Sequence, residues 1–136
     1  MKDIADAADL LVTARDVLLR ELLPALPKEH RYAGLMVANV MAIAAREQQT
    51  GLDVTRREIR QLRNLLAETG VVDFMSTADE ASELPMLRRA LCRAIRSDGF
   101  GDARREAALV AHLQRTAADW VAISNPKALR PEDVAS

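Results

Sequence analysis

Between Ala33 and Ala45 the chain reads AGLMVANVMAIAA, thirteen residues in which Asn39 is the only polar side chain. A helix that is apolar all round has to be covered on nearly every face. The run is therefore expected to lie at the centre of the fold. It cannot serve as a membrane span, which needs about 20 residues. Upstream, Pro24 and Pro27 bound a turn, and downstream the sequence becomes polar at Arg46 to Thr50.

The rest of the chain fits an aliphatic, helical core. Of 136 residues, 49% are apolar but only 3% are aromatic, and Gly and Pro are scarce at five each. Alanine and leucine are strong helix formers, and a chain of this length can bury a core as one domain. The formal net charge of -1 argues against nucleic acid as a partner, because duplex binders carry a basic excess. A single cysteine, Cys92, excludes an internal disulfide framework and suits a reducing cytoplasm. The start, MKDIADAADLL, has acidic residues where a signal peptide has a basic one. A cytoplasmic protein without membrane attachment is expected.

Caps and stops place five helices. The first starts from an Asp6 cap, repeats Leu10, Leu11, Ala14, Val17, Leu18 and Leu22 on one side, and is ended by Pro24 and Pro27. The second runs from about Glu29 to Gln49, with Gly51 as its stop. It carries a stripe of small residues, Gly34, Ala38, Ala42 and Ala45, which lets another helix approach closely. The third opens on a capping box, Thr55-x-x-Glu58, buries Ile59, Leu62, Leu65 and Leu66, and stops at Gly70. The fourth has a start signal at Thr77-x-x-Glu80 and a kink or restart at Pro85, buries Leu84, Leu87, Leu91, Ala94 and Ile95, and stops at Gly99. The fifth runs from Asp102 to about Ser124, with Ala108, Leu109, Leu113, Trp120 and Ile123 inward. The expected architecture is an all-α bundle of about five helices over residues 1–126, with the helix at about 29–49 central and a polar tail at 127–136. Val71 to Phe74 is too short and isolated to be read as a strand.

The chemistry-bearing residues do not converge. His30 and His112 lie on different helices without the carboxylate partners of a bundle metal site. Cys92 has neither a glycine elbow nor a matched histidine. No catalytic set, metal site or cofactor is expected. Arg56, Arg60 and Arg63 fall on one side of the third helix, and Arg89, Arg93 and Arg96 repeat the spacing on the fourth. Facing rows of guanidinium forks would suit phosphate oxygens; as solvated helix sides balanced by Glu and Asp they need no ligand. Tyr32, Asn39 and Arg46, seven residues apart, form a line along the second helix. Within a buried run Asn39 requires a hydrogen-bond partner, since an unpaired amide costs about 1–3 kcal/mol. Arg31, Tyr32, Asn39, Arg46 and Glu47 are thus candidates for a polar network or a contact surface.

These same residues carry a resemblance. ELLPALPKEHRYAGLMVANVMAIAARE, with LLVTARDVLL before it and ISNPKAL near the end, resembles a family of small bacterial helical proteins, mainly uncharacterised. The likeness is close over about residues 8–51, looser over about 87–129 and slight over 52–86. Ala128 departs from the aromatic residue expected after SNPK. Members are encoded beside an aminoglycoside-phosphotransferase-like kinase and an acyl-CoA dehydrogenase. The resemblance implies a non-catalytic accessory subunit of a kinase that phosphorylates a hydroxyacyl-CoA, with self-association as a compatible feature. The alternative is a small-molecule binder that holds an acyl-CoA or another phosphorylated ligand between the two arginine rows.

Overall fold

A computed structural model describes residues 5–70 and 79–131. The described residues are helical, with no strand among them. Four helices carry the fold: α1 (Ala7–Val17), α2 (Arg31–Ala67), α3 (Glu80–Arg96) and α4 (Ala103–Ser124). Tertiary contacts divide the chain into two compact units. The first comprises Met1–Leu52 with Ile123–Asn125, and the second Asp53–Ala122 with Pro126–Ser136.

In the first unit α1 begins at the expected cap, with the Asp9 N–H donating to Asp6 Oδ1 at 2.9 Å. Pro24 does not end the helix. A π-helical turn, Leu18–Leu22, leads into a short α-helical piece, Leu23–Ala25, and a 3-10 turn follows at Lys28–His30. Proline lacks an N–H and crowds the carbonyl four residues back. Widening the turn just before Pro24 relieves that conflict. The chain leaves helical geometry at Leu26 (ψ 143°), the residue before Pro27, where the proline ring disfavours the α region.

The small stripe of α2 behaves as its composition demands. Gly34, Ala38 and Ala45 are buried, and a Cβ on Gly34 would come within 2.8 Å of Leu23 Cδ1 and 3.1 Å of Leu26 Cδ1. Arg15 Nε of α1 donates to the Ala38 carbonyl at 3.2 Å. The expected burial of the run as a whole is overturned. Among the described residues of this unit, the only large hydrophobic side chain in the buried core is Ile123. On α1 and the π-helical turn after it, Leu10, Ala14, Val17 and Leu22 are exposed, while Ala8 is buried and Leu11, Leu18 and Leu19 are half-buried.

The predicted second and third helices are one helix of 37 residues. Gly51 is not a stop; it is buried within α2, and Thr55-x-x-Glu58 is no capping box. A helical glycine costs about 1 kcal/mol relative to alanine. Burial of Val54, Ile59, Leu62 and Leu66 just beyond it outweighs that several-fold, at about 1.5–3 kcal/mol per large aliphatic side chain. The helix ends before Gly70, whose φ of 73° supplies the left-handed exit.

The second unit holds a conventional core. Ile59, Leu62 and Leu66 from α2 pack with Leu84, Leu87, Ala90, Leu91 and Ala94 from α3 and with Phe100. Leu65 and Leu109 pack against this cluster from its edge. Asp79 caps α3, accepting from the Ser82 N–H at 2.6 Å, and the helix runs unbroken through Pro85. Thr77, in the start signal expected there, and Val71 to Phe74 lie outside the described residues. At the far end of α3 the left-handed residue is Asp98 (φ 59°) rather than Gly99. The Gly99 N–H closes back on Ala94 O at 2.8 Å and the Asp98 N–H on Ile95 O at 3.3 Å, a Schellman pair. Asp102 then caps α4 through the Arg105 N–H. Ile95 and Leu113, expected inside, are exposed, and His112 takes the inward position on α4.

Candidate functional site

Two arrangements stand out, one in each unit. In the second unit, Glu58 is buried on α2 and grips Arg88 of α3 with both oxygens, at 2.7 and 2.8 Å. The indole Nε1–H of Trp120 on α4 reaches Glu58 Oε2 at 3.4 Å. One carboxylate therefore ties three helices together. The hydrogen bond to Glu58 also holds the Arg88 guanidinium more firmly protonated, against the opposing effect of burial. A charge this well partnered is poorly suited to proton transfer and well suited to fixing how helices pack.

His112 is buried beside this network, with Nδ1 3.3 Å from Gln61 Oε1. Burial pushes its pKa below 6.5; the nearby Glu58 carboxylate opposes the shift, and Arg115 and Arg88 add to it. The imidazole is therefore neutral at neutral pH, and the tautomer with hydrogen on Nδ1 donates to Gln61. The linkage has a definite sign. A histidine with a depressed folded pKa lets the unfolded chain bind the extra proton, so stability falls as pH drops below about 6.5. The slope approaches 1.4 kcal/mol per pH unit at most. Denaturant unfolding between pH 7.5 and 5 is expected to show this loss, and His112→Gln to flatten it.

One turn along α4, Thr116 Oγ1 is buried and finds no hydrogen-bond partner among the described residues. Replacing an orphaned hydroxyl by a methyl removes its desolvation penalty. Thr116→Val is expected to raise the unfolding free energy by about 1 kcal/mol, measured by the same titration.

His112, Gln61, Glu68 and Arg115 line a cleft of about 230 Å³ in this unit. That is smaller than the about 300–1,000 Å³ of pockets that enclose drug-sized ligands. The arginine rows are in part engaged by carboxylates. Arg56 pairs with Glu80 at 2.8 Å, and Arg63 is held by Glu83. Arg57, beside them, binds both oxygens of Asp119 at 3.1 Å. Arg60, Arg89, Arg93 and Arg96 are exposed, as is Cys92. Among the described residues there is no group of three His, Cys, Asp or Glu able to hold a metal ion.

The first unit carries the other arrangement, an apolar surface. Among the described residues, ten of the fourteen exposed large hydrophobic ones lie in it, including Leu10 (59%), Tyr32 (73%), Leu35 (50%), Met36 (45%) and Val40 (59%). The expected line of Tyr32, Asn39 and Arg46 is only partly a network. Arg46 Nε donates to the Ile123 carbonyl at 2.6 Å, and Arg31 Nε to the Leu26 carbonyl at 3.3 Å. Tyr32, Asn39 and Glu47 are exposed, so the Asn39 amide is not the buried group the sequence pattern implied. Its physical context is an apolar face open to solvent.

Fold and site together define an all-α protein whose buried ionisable groups are engaged in packing and whose unusual surface is apolar. The chain belongs to a domain family of unknown function, DUF6285, whose model matches residues 24–128. No curated protein and no solved structure matches it. Among the described residues no helix is long and apolar enough to cross a membrane.

Proposed function

We propose that this protein is a non-catalytic partner that works by docking to another polypeptide, and that its partner is an aminoglycoside-phosphotransferase-like kinase acting on a hydroxyacyl-CoA. The observation that carries the docking reading is the concentration of exposed apolar side chains in the first unit. Isolated exposed leucines are ordinary, but many exposed large apolar side chains gathered in one unit point to interaction surfaces. The kinase comes from the family resemblance of the same stretch, residues 8–51, and not from the surface chemistry. Cytoplasmic location belongs to this reading.

Leu10 and Val17 lie seven residues apart on the side of α1 away from buried Ala8. They are suited to contact such a partner. Co-expression with the neighbouring kinase is expected to yield a complex on affinity capture. Leu10→Glu with Val17→Glu is expected to weaken it at least about tenfold, which is about 1.4 kcal/mol. Failure to recover any complex, with kinase activity unchanged by the added protein, would sink the assignment.

A further inference from the structure

On α2 the side opposite buried Gly34, Ala38 and Ala45 carries Tyr32, Leu35, Met36, Asn39, Val40, Ile43 and Glu47. From Tyr32 to Ile43 this face has no charge, and over the fifteen-residue rise to Glu47 it extends about 22 Å. We propose that a second copy of this chain covers it, the two α2 helices crossing antiparallel about a two-fold axis at Asn39. The pairing stands apart from the kinase assignment and leaves the outer side of α1, with Leu10 and Val17, open to another polypeptide.

Three observations select a second copy as the occupant. First, the one polar group on the apolar part of the face is an amide, which both donates and accepts. Two Asn39 side chains related by a two-fold axis satisfy each other, and a single asparagine in an apolar helix seam is a proven way to fix register between helices. Secondly, the face is self-complementary around Asn39. Leu35, four residues before it, falls opposite Ile43, four after, and Met36 packs beside the same Ile43. Thirdly, the ends match. Tyr32 of one copy falls opposite Arg46 of the other with Glu47 next to it, and Glu47 falls opposite Arg31, carboxylate against guanidinium, whereas a parallel pairing would set Glu47 against Glu47. Arg46 is drawn off this face by its bond to the Ile123 carbonyl. A two-fold interface uses the same patch on both subunits, so a largely apolar patch with a self-pairing group near its middle is the pattern such an interface requires.

The test uses the full chain. Light scattering is expected to give twice the 15.0 kDa chain mass, and Val40→Glu to return it to the single-chain mass with its helical circular dichroism retained. In a Cys92→Ser background, Asn39→Cys is expected to form a covalent dimer with a short bis-maleimide. Thr50→Cys is expected not to, because antiparallel copies hold those positions about 33 Å apart along the helix axes. A wild-type chain found only at 15.0 kDa overturns the proposal, as does a dimer untouched by Val40→Glu, or cross-linking at position 50 equal to that at 39. A monomeric wild type whose kinase capture is lost on Val40→Glu would give this face to the kinase. That result would refute self-pairing and leave the docking function standing.

Discussion

Leu66→Ala is expected to destabilise the protein by about 3–4 kcal/mol. Leu66 has no exposed surface and sits in the cluster formed with Leu62, Leu87 and Leu91. Truncation removes the transfer free energy of three carbons and leaves a cavity whose walls, two packed helices, close only in part. Against a usual total of about 5–15 kcal/mol, that is a large share. The midpoint of thermal unfolding should fall by about 10–15 °C for a chain of this size. The loss should be the same at every protein concentration, because Leu66 faces its own core. A shift under about 1 kcal/mol would mean that the second unit is loosely packed around α2.

The second large effect concerns the Glu58–Arg88 pair. Arg88→Met leaves the Glu58 carboxylate, with 5% of its side chain exposed, without its guanidinium. Breaking a buried ion pair from one side costs about 3–5 kcal/mol. The Arg88 side chain is 47% exposed, so water can reach the vacated edge, and about 2–4 kcal/mol is the expected cost. Replacing both residues removes the stranded charge as well. The double substitution Glu58→Met with Arg88→Met should therefore be less damaging than the sum of the two single ones, giving a coupling energy above about 1 kcal/mol. Additive losses in chemical denaturation would show that the pair does not stabilise the packing of α2 against α3.

Much of this architecture was legible from residue pattern. The caps at Asp6 and Asp102 and the exit at Gly70 announced themselves by residue type, because each backbone geometry there favours few side chains. Ile59, Leu62, Leu66, Leu84, Leu87 and Leu91 followed from spacing. Gly51 misled, because a local penalty of about 1 kcal/mol cannot reveal the burial that opposes it. Once α2 is continuous, Glu58 falls at helical spacing between buried Val54 and Leu62, and its inward position becomes readable. His112 falls likewise four residues after Ala108. Their partners across helices, Arg88 and Gln61, depend on tertiary placement and left no local trace.

The run Ala33–Ala45 teaches something different. Its composition requires that it be covered, but periodicity does not say by which chain. One side is covered by the chain's own Leu23 and Leu26 at Gly34 and by Arg15 of α1 at Ala38, and the other is open. Asn39 was expected to be buried and to need a partner; on the open face water satisfies its amide, which leaves it free to pair across the proposed interface. The same composition that looked like a core thus becomes the strongest argument for an interface.

Sedimentation of the full chain, alone and mixed with the proposed kinase partner, tests this account most directly. If the apolar surface of the first unit is an interface, the chain should sediment at no less than twice 15.0 kDa alone, and in a larger complex when the kinase is present. A 15.0 kDa species in both samples, unchanged across the concentration range, would contradict it.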